Sequence, residues 1–202
     1  MKRIFSLCLV VLLLVLSLAS CQMGDSNGSK PEKNIYSTLN EMVAKNYSTV
    51  MLSIASTENG ATMTDNYTIM QLGGDTLVTY SCTRRSVFEG DVIPDSYYTT
   101  YTGSLVIRDG KIVSQEGQSV DISFEALSLK GLCFSGDVFS NVQDEAGKFT
   151  ADIVDVDGFF GQSSLEISDA SVSLTYGTGL QTLVITYTAQ SGAQVVIDYI
   201  LM

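Results

Sequence analysis

From about residue 48 onward, apolar and polar residues alternate one for one, and turn-forming pairs interrupt the alternation at short intervals. A two-residue period puts successive side chains on opposite faces of a strand, so each run reads as a strand with one apolar face. The C-terminal segment shows this best. Val172, Leu174 and Tyr176 alternate with Ser171, Ser173 and Thr175. Leu183, Ile185 and Tyr187 share a face of the next run, and Val195, Ile197, Tyr199 and Leu201 share one in the last. Residues 177–179 and Ser191-Gly192 supply the turns. This predicts a three-stranded antiparallel meander with one face packed and one solvated.

The same pattern runs upstream. Val50, Leu52 and Ile54 precede a turn at Glu58-Asn59-Gly60, and a run through Tyr67 and Ile69 precedes Gly73-Gly74-Asp75. Residues 77–83, with Tyr80 and Cys82, read as a third strand, and residues 97–108 as a fourth. Asp109-Gly110 is the strongest hairpin signal in the chain. Residues 120–124 and 149–154 alternate as well. Residues 86–96, acidic and holding Pro94, read as a loop, as do residues 158–161. Residues 125–147 fit neither period, which leaves short helices or an irregular flap. One helix stands out, at about residues 33–47, where Ile35, Leu39, Met42 and Val43 recur at spacings of three and four.

The N-terminus is different. Lys2 and Arg3 precede a mostly apolar run over residues 4–16, and Leu18-Ala19-Ser20-Cys21 closes it. A basic start, an apolar core and small residues make a secretory signal peptide over residues 1–20. Counted from Ile4 through Leu18, about 15 residues, the run is short of the roughly 20 needed to span a bilayer. The cysteine at the cut resembles the lipobox of bacterial lipoproteins. That resemblance implies a diacylglyceryl group on Cys21, cleavage before it, and palmitate-class acyl chains that anchor the protein without spanning the membrane. Residues 21–32 are then a lipidated tether, and residues 33–202 a single β-rich domain. The expected location is the extracytoplasmic face of a bacterial cell envelope. Gln22 points to the outer membrane in a cell that has one.

Composition narrows the chemistry. The chain holds 11 basic and 22 acidic residues, a formal charge of −11. Loss of Lys2 and Arg3 with the signal peptide deepens it. Nothing on such a chain would neutralise nucleic-acid phosphates or grip anionic headgroups through a polybasic patch. There is no histidine, which rules out a Ser-His-Asp or Cys-His mechanism and removes the commonest zinc ligand. No catalytic group, cofactor or metal is expected, and the chain reads as a non-enzyme. Asp152, Asp155 and Asp157 beside Gly158 invite a calcium reading. An EF-hand frame on that glycine would run from Ile153 to Ser164, neither a carboxylate, so a solvated turn is the simpler reading. Paired carboxylates for glycoside cleavage are not singled out, and tryptophan is absent. Cys82 and Cys133 are the two cysteines left in the mature domain. They form either a disulfide or two separate buried thiols. Tyr97, Tyr98 and Tyr101 suit ordinary strand packing or a ligand rim, Arg84-Arg85 a solvated edge or a headgroup clamp, and Phe159-Phe160 the core or a mobile plug.

A tether, a helix at residues 35–47, serial hairpins from Val50 and the segment FTADIVDVDGFFG at residues 149–161 together resemble the LolA, LolB and LppX group of lipoprotein-localisation and lipid-carrier proteins. The resemblance implies an unclosed barrel around short helices. The fold expected is therefore α+β: a curved, mainly antiparallel β-sheet forming a half-open barrel, with the N-terminal amphipathic helix packed on it. The function expected is non-enzymatic binding or carriage of an apolar or lipid-like ligand. Its face would comprise Leu183, Ile185, Tyr187, Val195, Ile197 and Tyr199. The alternative is a structural or protein-interaction lipoprotein with a filled core and an envelope-protein partner.

Overall fold

A computed structural model describes residues 34–85, 98–119, 129–162 and 164–202. The signal peptide expected over residues 1–20, Cys21, the expected tether, the loop expected at 86–96 and the strand expected at 120–124 lie outside them.

Asn34 opens helix α1 (Ile35–Val43), its side chain accepting from the Tyr36 N–H at 3.2 Å. Leu39, Met42 and Val43 form its buried face. The helix ends four residues earlier than the spacing predicts. Tyr47 folds back instead: its hydroxyl donates to the Met42 carbonyl at 2.9 Å and accepts from the Leu180 N–H at 3.0 Å.

Strands β1 (Thr49–Glu58), β2 (Ala61–Leu72), β3 (Asp75–Arg85), β4 (Tyr98–Arg108) and β5 (Lys111–Gly117) follow as one antiparallel meander. The Asn59-Gly60 and Asp109-Gly110 turns hold both residues at positive φ, as a two-residue hairpin between right-twisted strands requires. A 3-10 turn at Leu129–Gly131 leads into a second meander: β6 (Phe139–Glu145), β7 (Lys148–Ile153), helix α2 (Val156–Phe160), β8 (Ile167–Tyr176), β9 (Leu180–Ala189) and β10 (Gln194–Leu201). The two meanders fuse where β10 pairs with β1, from Val50 opposite Leu201 to Thr57 opposite Gln194. The sheet order is β5-β4-β3-β2-β1-β10-β9-β8-β7-β6, with every pair antiparallel.

The α+β class with an N-terminal helix stands, but the half-open barrel does not. The sheet is open, with β5 and β6 as its two edges and no pairing between them among the described residues. Serial hairpins specify neighbours and faces, and they are silent on whether the outermost strands meet. Here the chain itself covers much of the inner face. Leu129, Leu132, Phe134 and Val138 are buried along the stretch that leads from above β3 and β4 to the β6 edge.

One row in register shows how continuous that inner face is. Leu174, Leu183, Tyr199, Leu52, Tyr67 and Tyr80 lie side by side from β8 to β3, and all are buried. The row ends at Gly103 on β4. A Cβ there would strike the Tyr80 hydroxyl and the Glu116 carbonyl, so only glycine lets the Tyr80 ring lie across β4. Over β6–β8, Phe134, Phe139, Phe149 and Phe159 interlock edge-on, with ring centroids 5.5 Å apart for Phe134 and Phe159. The outer face is hydroxylic. Ser171 and Thr186, Thr175 and Thr182, and Thr57 and Thr62 pair across strands at 2.7–2.8 Å.

Candidate functional site

The face expected to hold a ligand is assembled as the alternation predicts. Ile185 stands opposite Ile197, Leu183 opposite Tyr199, and Tyr187 opposite Val195. It is not an open surface. Leu183 is 0% and Ile185 1% exposed, Tyr187, Val195 and Tyr199 are buried too, and Ile197 is packed against the same cluster. Phe160 of α2 lies on Tyr187, with centroids 6.4 Å apart. Side-chain period shows which residues turn inward; it does not show what lies over them. These six residues are core.

Cys82 and Cys133 are thiols, and no bond joins them. They belong to opposite halves of the sheet. Cys82 sits on β3, whereas the Cys133 N–H donates to the Phe159 carbonyl in the cover of β6–β8. The Cys82 thiol donates to the Tyr67 hydroxyl at 3.6 Å. Tyr67 in turn faces the Asp65 carboxylate at 3.4 Å, and Arg84 clamps that carboxylate through both of its terminal nitrogens. Arg84 is thus a half-buried ion-pair partner, neither a solvated edge nor a headgroup clamp. Burial pushes the Cys82 thiol up, and burial with the nearby Asp65 charge pushes the Tyr67 phenol up. A protonated, fully covered thiol is a poor nucleophile, so this relay reads as structural.

The aspartates around α2 are each used locally. Asp155 caps α2 by accepting from the Gly158 N–H at 2.9 Å. Asp157 accepts from the Ser164 and Leu165 N–H groups at 2.7 and 2.9 Å, and Asp152 from Asn141 Nδ2 at 2.6 Å. No cluster fit for a metal ion exists among the described residues. Phe159 is wholly buried in the aromatic cluster and Phe160 packs beside it, so the pair belongs to the core. Of the tyrosine group, Tyr98 and Tyr101 lie on β4, with Tyr101 opposite Cys82, and Tyr97 falls outside the described residues.

An opening does exist, under the other half of the sheet. Val50, Ile69 and Val78, in register across β1–β3, form its floor together with Ile107 of β4. Val43 and Tyr47 at the end of α1, and Leu129 of the 3-10 turn, form its walls. The cleft is open to solvent, and its volume is 270 Å³. At the rim stand Lys45, Asn46, Gln71, Thr76 and Lys130, and among the described residues no carboxylate lines the cleft. Lys45 Nζ donates to the Thr178 carbonyl at 2.5 Å, and Thr76 Oγ1 donates to Gln71 Oε1 at 3.0 Å. Burial raises the Tyr47 phenol, and the Leu180 N–H partly offsets this. The floor residues all sit in period-two runs. Nothing in the sequence marks them off from core, because the cleft comes from where the cover stops.

No protein-family model matches the chain, and no curated protein matches it. Among solved structures it is similar to a DUF1329 family protein from Desulfovibrio piger, at 8% identity and a TM-score of 0.25 over 79% of this chain and 86% of that one. It is also similar to the dehydratase domain from the CurF module of curacin polyketide synthase, at 6% identity and a TM-score of 0.19 over 82% and 79%. Likenesses of that size carry no argument about function.

Proposed function

We propose that the protein is a lipid-anchored extracytoplasmic lipoprotein that binds an apolar or lipid-like ligand without chemistry. The ligand enters the cleft under β1–β4 and does not touch the C-terminal face. The observation that carries this reading is the 270 Å³ apolar-floored cleft between the sheet and its helical cover. Ligand sites are typically concave and apolar, with a few polar groups to orient the guest. The anchor rests on Leu18-Ala19-Ser20-Cys21. Among the described residues, no helix is long and apolar enough to cross a membrane.

Saturable binding of a fluorescent fatty-acid probe to the delipidated protein tests the cleft. Ile107→Asn should weaken it while the melting temperature stays close to wild type. Absence of saturable binding overturns the ligand reading. For the anchor, Cys21→Ala should accumulate as an unprocessed precursor without added lipid mass. Normal cleavage of that variant overturns the anchor.

The protein-interaction alternative draws on one observation. The β5 edge strand is exposed along its whole length, with Ile112 47% and Val113 52% accessible. A bare edge accepts another strand. If no probe binds but Val113→Pro, which removes one N–H from this edge strand, abolishes capture of an envelope-protein strand, that reading takes precedence.

A further inference from the structure

We infer that the β5 edge docks on the β5 edge of a second copy of this chain. The two strands pair antiparallel about a two-fold axis at Ser114, which sets Lys111 of each copy opposite the partner's Glu116. This is independent of the ligand reading, since the cleft lies under β1–β4.

The register of β5 makes it self-complementary. Val106 and Ile107, neighbours on β4, stand opposite Ser114 and Ile112, so Ile112 and Val113 form a bulge that shares one position of the ladder. In a regular strand Lys111 and Glu116, an odd number of residues apart, would turn to opposite faces. The extra residue brings them to the same one. Lys111, Ser114 and Glu116 stand opposite Arg108, Val106 and Ser104, alternate residues of β4, all on the outer face. Counted in ladder positions, Lys111 lies as far from Ser114 on one side as Glu116 does on the other. Turned end for end about Ser114, the strand therefore lays a cation over an anion at both ends. It also lays the Ile112-Val113 bulge over Gln115, on the same face.

The surroundings favour that exchange. Across the ladder from Lys111 stands another cation, Arg108, whose Nε and Nη2 donate to the Asp75 carboxylate at 2.6 and 2.7 Å. A carboxylate arriving beside Lys111 extends the row Asp75, Arg108, Lys111 with the opposite charge. Every residue of β5 is exposed, and the pairing draws Ile112 and Val113 out of water. The other edge, β6, holds Asp144 and Glu145 and no cation, so it cannot make the same exchange with itself. A contact of β5 on β6 would run head to tail and stay open-ended, whereas β5 on β5 closes as a two-fold dimer.

Sedimentation equilibrium of the delipidated mature protein, from about 1 μM to about 1 mM at low salt, covers the range of so small a contact. A monomer–dimer equilibrium is expected. Lys111→Glu and Glu116→Lys each set like charges opposite one another at both ends, and each should weaken the dimer about tenfold at an unchanged melting temperature. Glu116→Lys separates local pairing from net charge. It makes an acidic protein less negative, so general repulsion alone would tighten the dimer. The double variant Lys111→Glu/Glu116→Lys, and an equimolar mixture of the two single variants, should return to wild-type affinity. Under mild oxidation Ser114→Cys should give a covalent dimer, because opposite residues of a ladder lie about 4.5–5.5 Å apart. Lys111→Cys, about 13 Å from its own copy, should not. Monomer throughout overturns the inference. So does a Glu116→Lys dimer as tight as wild type, a double variant that stays weak, or equal cross-linking of the two cysteine variants. None of these outcomes bears on the cleft.

Discussion

Asn40 and Phe134, 94 positions apart, are joined as two strands of a sheet would be: Asn40 Nδ2 donates to the Phe134 carbonyl at 2.7 Å, and the Phe134 N–H donates to Asn40 Oδ1 at 2.9 Å. One side-chain amide satisfies both backbone groups of a residue outside any ladder, which a half-buried irregular segment needs. It also pins α1 to the stretch that covers the aromatic cluster.

Asn40→Asp keeps the acceptor and loses the donor, setting a carboxylate against the Phe134 carbonyl. Both this variant and Asn40→Ala should lose about 1–3 kcal/mol in urea unfolding, with Asn40→Asp the worse of the two. Unchanged midpoints in both would show that the tie contributes nothing to the fold.

Ile185 separates the two halves of the inner face by experiment. It is 1% exposed and lies between Val172 and Ile197 in register. Ile185→Ala should cost about 2–5 kcal/mol through the cavity it leaves. In the fraction that remains folded, probe affinity should match wild type, because the cleft does not reach β9. A variant that stays fully stable yet loses probe would move the ligand back to the C-terminal strands.

Thiol labelling reads the cysteines directly. Native protein should leave Cys82 unmodified, since its sulfur is covered and protonated. After unfolding without reductant, both Cys82 and Cys133 should react. Their recovery as a cross-linked peptide pair would contradict the separation of the two across the sheet.

The alkaline limb follows from the tyrosines. Burial raises the phenols of Tyr47, Tyr67, Tyr187 and Tyr199, and a hydrogen bond to Asp144, then burial, pushes Tyr176 up to about 12. The unfolded chain ionises near pH 10. Above that, the folded state holds more protons than the unfolded one, so stability falls as pH rises. The contribution is complete below about pH 10, and for Tyr176 it is lost by about 12. Tyrosinate absorbance of native protein should lag that of urea-unfolded protein across this window and rejoin it on alkaline unfolding. Superimposed titrations would mean these rings are in water.

Alternation and turn chemistry made most strands legible, because Asn59-Gly60 and Asp109-Gly110 act locally and a sheet face is a period-two object. Strand β6 escaped for an identifiable reason. Its register shifts between Ser140 and Gln143, Asn141 sits at φ 52°, and Val142 turns outward, so the apolar period breaks inside the strand. Its hairpin turn uses Ala146-Gly147, with an alanine at positive φ that no composition rule would flag. Helix α2 is five residues long, too short for a helical period to register. The cleft was illegible for a different reason. Val50, Ile69, Val78 and Ile107 look like every other inward residue, and only the positions of α1 and Leu129 leave Val50 and Ile107 partly uncovered.

The place of β10 at the middle of the sheet has a consequence for biosynthesis. Strands β1–β5 pair with their sequence neighbours, and so do β6–β9, so each half can zip up as it leaves the ribosome. Neither half can dock on the other until residues 194–201, the last of these ten strands to be translated, slot between β1 and β9. Until then the chain presents two raw edges with apolar flanks, a state prone to self-association. A nonsense change a few codons before residue 194 would therefore not trim a peripheral strand. It would leave two unsealed half-sheets, and insoluble protein is the phenotype to look for.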